Sequence, residues 1–244
     1  MQSTPNKYND SYRDHVSALE RRLEADEALR LAVGGEFIAV GKLVYHLLRS
    51  LGLRDGHVVV DVGCGSGRLA VQLAPFREIR YVGFDVVQRL VDYASELSGR
   101  PDWRFLVTDG SGIPCENDSA DFVCFFSVFT HLVHEDTYRY FRETRRILKP
   151  GGYMVFSFLE FKIPIHWEIF AATVKSSGTG QHLNQFIDRD GIRAWAAHSD
   201  LEVVGIFDGD KPHIPIPEEI RWEHEARMGT LGNIGQSIAV LRRP

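Results

Sequence analysis

Cysteine is scarce: the 244 residues hold three, Cys64, Cys115 and Cys124, with no C-x-x-C spacing and an odd count. A disulfide framework and a zinc ribbon are thereby excluded as organising devices, and a reducing cytoplasm is the expected location. The three thiols read as small apolar packing groups. Long hydrophobic runs are missing too. Stretches such as VCFFSVF at 123–129 fall well short of the roughly 20 residues that a helix needs to span a bilayer. Basic blocks are absent, and 28 Lys and Arg against 33 Asp and Glu leave a net charge of −5. That balance argues against nucleic acid or an anionic membrane surface as partner. The opening MQSTPNKYND has none of the apolar core of a secretory signal, so no export is expected. No internal repeat, low-complexity tract or dividing linker is visible.

What is present is ordinary for a globular chain, with 44% hydrophobic and 25% charged residues. A chain of this length buries roughly 70–75% of its unfolded surface and needs no staples. Val16, Leu19, Leu23 and Leu29 recur at near-helical spacing, predicting an amphipathic helix over 12–31 that Gly34-Gly35 breaks. A second helix over 36–51 should stop at Gly52. Short apolar strands then alternate with helices: strands near 57–62, 80–85, 103–108, 121–127 and 151–159, helices near 67–75, 87–98 and 135–148. Such alternation predicts a parallel sheet covered on both faces. Beyond Phe161 the pattern turns irregular. It holds a Gly/Ser turn, SSGTG at 176–180, a helix near 188–198, a strand near 201–207 and a last strand at 234–241.

The informative stretch is VVVDVGCGSGRL at 58–69. Gly63, Gly65 and Gly67 follow a valine strand at every second position, and glycine's entropic cost demands a backbone or a ligand reason. In open parallel sheets ligands bind beyond the carboxyl ends of the strands. A bare loop there lets a ligand approach the main chain, and N–H groups at the helix start can donate to it. The alternative is a tight strand–helix turn with no ligand. The dinucleotide fingerprint G-x-G-x-x-G requires a glycine at 68, where Arg68 stands. The pattern D-x-G-x-G-x-G, led by Asp61, is followed by RYVGFD, WRFLVTD, ADFVCFFSVF and YFRETRRILKPGGYMVFSF. In this order, over roughly 55–160, the sequence resembles the class I S-adenosylmethionine-dependent methyltransferases. The resemblance implies an α/β fold: a Rossmann-like, doubly wound, mostly parallel seven-stranded sheet in the order 3-2-1-4-5-7-6, the last strand antiparallel. Residues 1–52 would form an N-terminal helical extension or lid. Residues 53–244 would form the methyltransferase domain, with substrate-facing insertions near 160–187 and 208–234.

The resemblance also implies S-adenosylmethionine as cofactor and a set of contacts to it. Gly63, Cys64, Gly65 and Gly67 would wrap its methionine part, with Asp61 beneath, fixing the loop amides or meeting the ammonium through water. Asp85 would take the ribose diol, since an ionised carboxylate accepts two hydroxyls at once. Val86 would lie on the adenine, Asp109 and Gly110 would meet its edge or simply form a turn, and Phe126 and Ser127 would flank the methyl group. Asp121 and the Pro150-Gly151-Gly152 turn read as architecture.

A hydroxyl acceptor needs its proton removed, and a histidine near neutral pKa suits that task. His131 in FTHL is placed for it, or for a contact, or for packing at a helix start; the H-x-x-H-E string at 131–135 does not by itself make a metal site. Glu160 and His166 complete the catalytic candidates. Tyr8, Tyr12, Trp167, His213, Arg221, Trp222 and His224 lie on segments expected above the same edge, each with packing or solvated charge as its alternative. The expected activity is methyl transfer to a small molecule or glycan, onto a hydroxyl oxygen, with loose similarity to glycan-methylating bacterial proteins. The competing readings are a non-catalytic cofactor-binding sensor and a nicotinamide-dependent dehydrogenase, the latter opposed by the lack of a Tyr-x-x-x-Lys pair.

Overall fold

Every residue of strand β1, Val58–Val62, is buried, as a valine run between two helix-covered faces requires. The computed structural model describes residues 7–175 and 183–244; SSGTG and the side chain of Tyr8 lie outside the described residues. Three helices precede the strand: α1 (Lys7–Glu20), α2 (Ala25–Ala32) and α3 (Phe37–Ser50). After it come α4 (Arg68–Leu73), β2 (Arg80–Asp85), α5 (Gln88–Ser98), β3 (Arg104–Val107), β4 (Ala120–Phe125), α6 (His134–Ile147) and β5 (Leu148–Phe158). The remainder is α7 (Pro164–Lys175), α8 (Arg189–His198), β6 (Glu202–Phe207), β7 (Ile214–Pro215), β8 (Leu231–Gly232) and β9 (Ser237–Arg242).

Seven strands form one sheet in the order β3-β2-β1-β4-β5-β9-β6. The five on the β3 side are parallel, and β9 runs antiparallel to both β5 and β6. With β9 as the seventh main strand, this is the expected order. Alternate residues serve opposite faces. Val59, Phe122, Cys124, Val155 and Val240 pack with Leu43, Leu47 and Leu48 of α3 and Leu73 of α4. Val60, Val123, Phe125, Met154 and Phe156 pack with Phe141 of α6 and Ile192 of α8. Asp121 is architectural, as expected: its carboxylate accepts the Val58 N–H at 2.8 Å and pairs with Lys149 at 2.6 Å, joining the starts of β1, β4 and β5.

Four local features depart from the sequence reading. The helix expected over 12–31 is broken at residues 21–24, because Val16 and Leu29 can both reach Val87 and Leu90 only if the chain folds back. Pro150-Gly151-Gly152 lies within β5 as a bulge, the register jumping from Ala120 opposite Leu148 to Phe122 opposite Tyr153. Helix α7 was not expected: PIHWEIFAATVK is apolar nearly all round and shows no helical contrast. The 208–234 stretch contains the short antiparallel pair β7–β8. Among the described residues no single helix is long and apolar enough to cross a membrane; α2 and α3 pass together but are bent by 44°.

Phe129 sits in a fully buried aromatic group, with ring centroids 4.6 Å from Phe125 and 5.0 Å from Phe156. Phe129→Ala is expected to lower unfolding free energy by about 3–5 kcal/mol, the usual cost of deleting a packed ring. A urea titration checks it, and a loss below about 1 kcal/mol would contradict the packing described.

Candidate active site

The carboxyl ends of β1 and β2 are stitched together by main-chain groups. Phe84 O accepts the N–H groups of Gly63 (2.7 Å) and Cys64 (2.9 Å), and Asp85 Oδ2 accepts that of Gly65 at 3.0 Å. Asp85 Oδ1 accepts the Val87 N–H at 3.0 Å, and Gly67 N–H bonds to Cys64 O at 3.0 Å. Four of the loop's own amides are therefore used inside the protein. Asp85, not Asp61, ties the loop. Gly65 has φ of +52°, and a Cβ there would lie 2.4 Å from Val33 Cγ1. Gly67 has φ of +88°, with a Cβ 3.0 Å from Ala94 of α5. Both backbone and close-approach reasons apply to these glycines.

Beyond this loop opens a cavity of about 360 Å³, lined by Asp61, Gly63, Cys64, Gly65, Asp85, Val86, Gly110, Phe126, Ser127 and His131 among the expected residues. Gly67 does not line it, being closed off against Ala94. Asp109 does not line it either: it is exposed and accepts the Ser111 N–H at 2.8 Å, the turn role left open above, while Thr108 and Gly110 face the cavity. Tyr12 lines the cavity from α1, donating its hydroxyl to Ala32 O at 3.3 Å.

Asp61 and Asp85 are both buried, and among the described residues neither is within salt-bridge distance of a cation. Burial lifts the Asp61 carboxyl to about 7 despite the Tyr81 hydroxyl donating to it at 2.7 Å. Burial lifts Asp85 to about 6 against the pull of its main-chain donors. His131 bonds through Nδ1 to Leu183 O at 2.9 Å. A carbonyl only accepts, so Nδ1 carries the proton and Nε2 the lone pair. Burial lowers this imidazole's pKa, keeping it neutral near pH 7.

Glu160 and His166 are corrected as candidates, because neither lines the cavity. Arg189 grips Glu160 with two bonds of 2.9 and 2.6 Å, and Ser237 donates to the same carboxylate. His166 accepts the Glu160 N–H at Nδ1 (3.2 Å) and donates from Nε2 to Gly235 O (2.9 Å), so both nitrogens are engaged. Trp167, His213, Arg221, Trp222 and His224 also lie outside the cavity. His213 stacks on Phe207, Arg221 pairs with Glu219, and Trp222 packs beside the α3 core.

Sequence reasoning did not assign a site role to Gln236, Thr108, Tyr140 or Val33, which all line the cavity, and used Arg68 only to exclude a dinucleotide. Gln236 is held by Ser157 Oγ donating to Oε1 at 2.6 Å and donates from Nε2 to Ser127 Oγ at 3.1 Å. A polar residue at the start of the strand beside β5 was the available signal for it.

Residues 60–156 match the methyltransferase domain family. The 27-O-demethylrifamycin SV methyltransferase of Amycolatopsis mediterranei is 27% identical over 147 residues, covering 58% of this chain and 53% of that protein. The malonyl-[acyl-carrier protein] O-methyltransferase of Geobacter sulfurreducens is 29% identical over 200 residues, covering 76% and 72%. The chain spans about half the length of the first curated relatives it matches. A solved Haloferax volcanii complex of the Trm112 methyltransferase activator aligns with a TM-score of 0.63 at 20% identity, over 99% of this chain and all of that one, a likeness of fold. Residues 60–156 are thus similar to the methyltransferase domain family, and the sheet has the strand order implied by the resemblance to the class I S-adenosylmethionine-dependent methyltransferases. That family uses S-adenosylmethionine as methyl donor.

The buried acids give a pH prediction. Folded Asp61 keeps its proton up to about 7, whereas the unfolded group, at 3.8, has released it. The folded state thus binds more protons between those values, and its stability falls as pH rises through them, by up to about 1.4 kcal/mol per unit for each such proton. Asp61→Asn, which keeps an acceptor for Tyr81, is expected to gain on the parent between pH 4.5 and 7.5 in urea titrations. Parallel stability curves across that range would refute the burial assigned to this acid.

Proposed function

We propose that this chain transfers the methyl group of S-adenosylmethionine to a hydroxyl oxygen of a small molecule or glycan, with His131 as the base. The observation that carries the reading is the convergence, in one cavity, of the glycine loop, two buried carboxylates and an imidazole held through Nδ1 by Leu183 O. The cavity's volume of about 360 Å³ falls within the roughly 300–1,000 Å³ usual for small-ligand sites. Bound cofactor supplies a methyl already activated by a positive sulfonium, so the protein must chiefly align the acceptor and exclude water.

Each oxygen of Asp85 has accepted one N–H and retains capacity for a ribose hydroxyl. Asp61, a buried acid at the base of the loop, suits the cofactor's ammonium. Val86 and Gly110 offer the adenine wall and edge. Tyr12, Val33 and Gly34 line the cavity from the N-terminal side, which supports a lid role for that extension. Ser127 and Gln236 supply fixed polar groups near His131 for orienting an acceptor oxygen. Relatives named as O-methyltransferases support oxygen as the target, and the sterol 24-C-methyltransferases among them make carbon the competing outcome.

S-adenosylhomocysteine at about a hundred times its dissociation constant should stabilise the protein by roughly 2.7 kcal/mol, and NAD should not. Stabilisation by NAD alone would end the reading. Radiolabelled methyl transfer into fractionated cell extract then separates enzyme from sensor, since a sensor labels no fraction. With an acceptor found, His131→Ala should lower turnover by about 10²–10⁴ while leaving S-adenosylhomocysteine affinity nearly unchanged. Undiminished turnover would remove His131 from the chemistry.

A further inference from the structure

Arg68, the first residue of α4, lines the cavity, and the methyl-transfer reading gives it no task. Its Nη2 donates to the carbonyls of Val33 and Gly35, holding the turn between α2 and α3 over the glycine loop. Positive φ at Gly34 (+93°) and Gly35 (+64°) lets the chain turn tightly enough for both carbonyls to meet one guanidinium. Nε is buried without any hydrogen-bond partner. Among the described residues no carboxylate comes within salt-bridge distance of Arg68. Glu223 is near enough to act on it electrostatically, but its carboxylate accepts the Phe37 N–H at 3.2 Å. Burial pulls the guanidinium down to about 10, the mark of a cation short of compensation.

A half-buried guanidinium with no carboxylate beside it is costly unless an anion entering the cavity meets it. Among the residues lining this cavity Asp61 and Asp85 are acids and His15 and His131 imidazoles, which leaves Arg68 as its one permanent cation. A cavity with carboxylates and one guanidinium beside the same loop matches a ligand whose end is zwitterionic. We propose that Arg68 binds the carboxylate of the cofactor's aminobutyrate end and, with the same guanidinium, latches residues 33–35 over it. This rests on the methyltransferase reading and adds to it a residue that couples cofactor loading to closure of the N-terminal segment. An arginine fork can serve both the strap carbonyls and a carboxylate, which a lysine point charge does less well.

Calorimetric titration with S-adenosylhomocysteine and with its decarboxylated analogue, S-adenosyl-3-thiopropylamine, tests the assignment. The analogue keeps the ammonium and lacks only the carboxylate. Arg68→Ala is expected to weaken S-adenosylhomocysteine about ten- to hundredfold, the range for a lost charged hydrogen bond. It should weaken the analogue about tenfold less than that, since both ligands lose the strap but only one loses the carboxylate contact. Wild type should itself bind the analogue more weakly than S-adenosylhomocysteine. Equal losses on both ligands would show that Arg68 only shapes the pocket, and no loss on S-adenosylhomocysteine would place the carboxylate elsewhere; either overturns the proposal. If Arg68→Ala does not fold, Arg68→Lys is read against the same pair, a loss confined to the carboxylate-bearing ligand supporting the assignment and an equal loss overturning it. Wild type binding neither ligand would bring down the cofactor reading itself, and this assignment with it.

Discussion

Two main-chain N–H groups from different turns meet on one buried carboxylate. Asp85 takes Gly65 on one oxygen and Val87 on the other, one residue after Phe84 O has taken Gly63 and Cys64. The end of β2 therefore holds the loop that leaves β1 and the turn that enters α5. Since the loop's own donors are used this way, its shape does not wait for a ligand to define it. Pre-formed geometry of that kind reduces the ordering cost of binding. The expense is a buried acid with no cation within salt-bridge distance among the described residues, and burial raises the pKa of Asp85 and, one strand away, of Asp61. Removing the tie would leave the loop amides and the carboxylate each without a partner.

The parts legible in the sequence are those fixed by local pattern. Valine runs, alternation and glycines at the strand end place β1, the loop and most of the sheet, and the resemblance supplies the strand order. Side-chain destinations depend on distant partners and were less legible. Glu160 reads as a catalytic acid until Arg189, 29 residues on, is seen to grip it. His166 reads as a catalytic candidate until both its nitrogens are found bonded to main chain. Asp109 and Thr108 are adjacent, and only the turn geometry decides that Thr108 faces the cavity. Helix α7 was hidden because a helix apolar on most faces has no periodic contrast to detect. Val33 and Gly34 could not be placed over Gly65 from sequence, since they arrive there only through the break between α2 and α3.

The charges of the cavity close on one another. Counting Asp61 and Asp85 as ionised against Arg68, and leaving aside the imidazoles of His15 and His131, one net negative charge remains. On the proposed assignment the ligand carries a sulfonium and an ammonium against one carboxylate, and so one net positive charge. Without the ligand the protein meets its excess by keeping protons on its acids, which is what raised carboxyl pKa values mean. With the ligand, the acids can ionise against its cations. After methyl transfer the sulfonium becomes a neutral thioether and the balance is lost by one charge. A low-dielectric site amplifies that difference. On the proposed assignment, the same burial that makes Asp61 and Asp85 costly to the empty fold would bind the charged donor more tightly than the demethylated product.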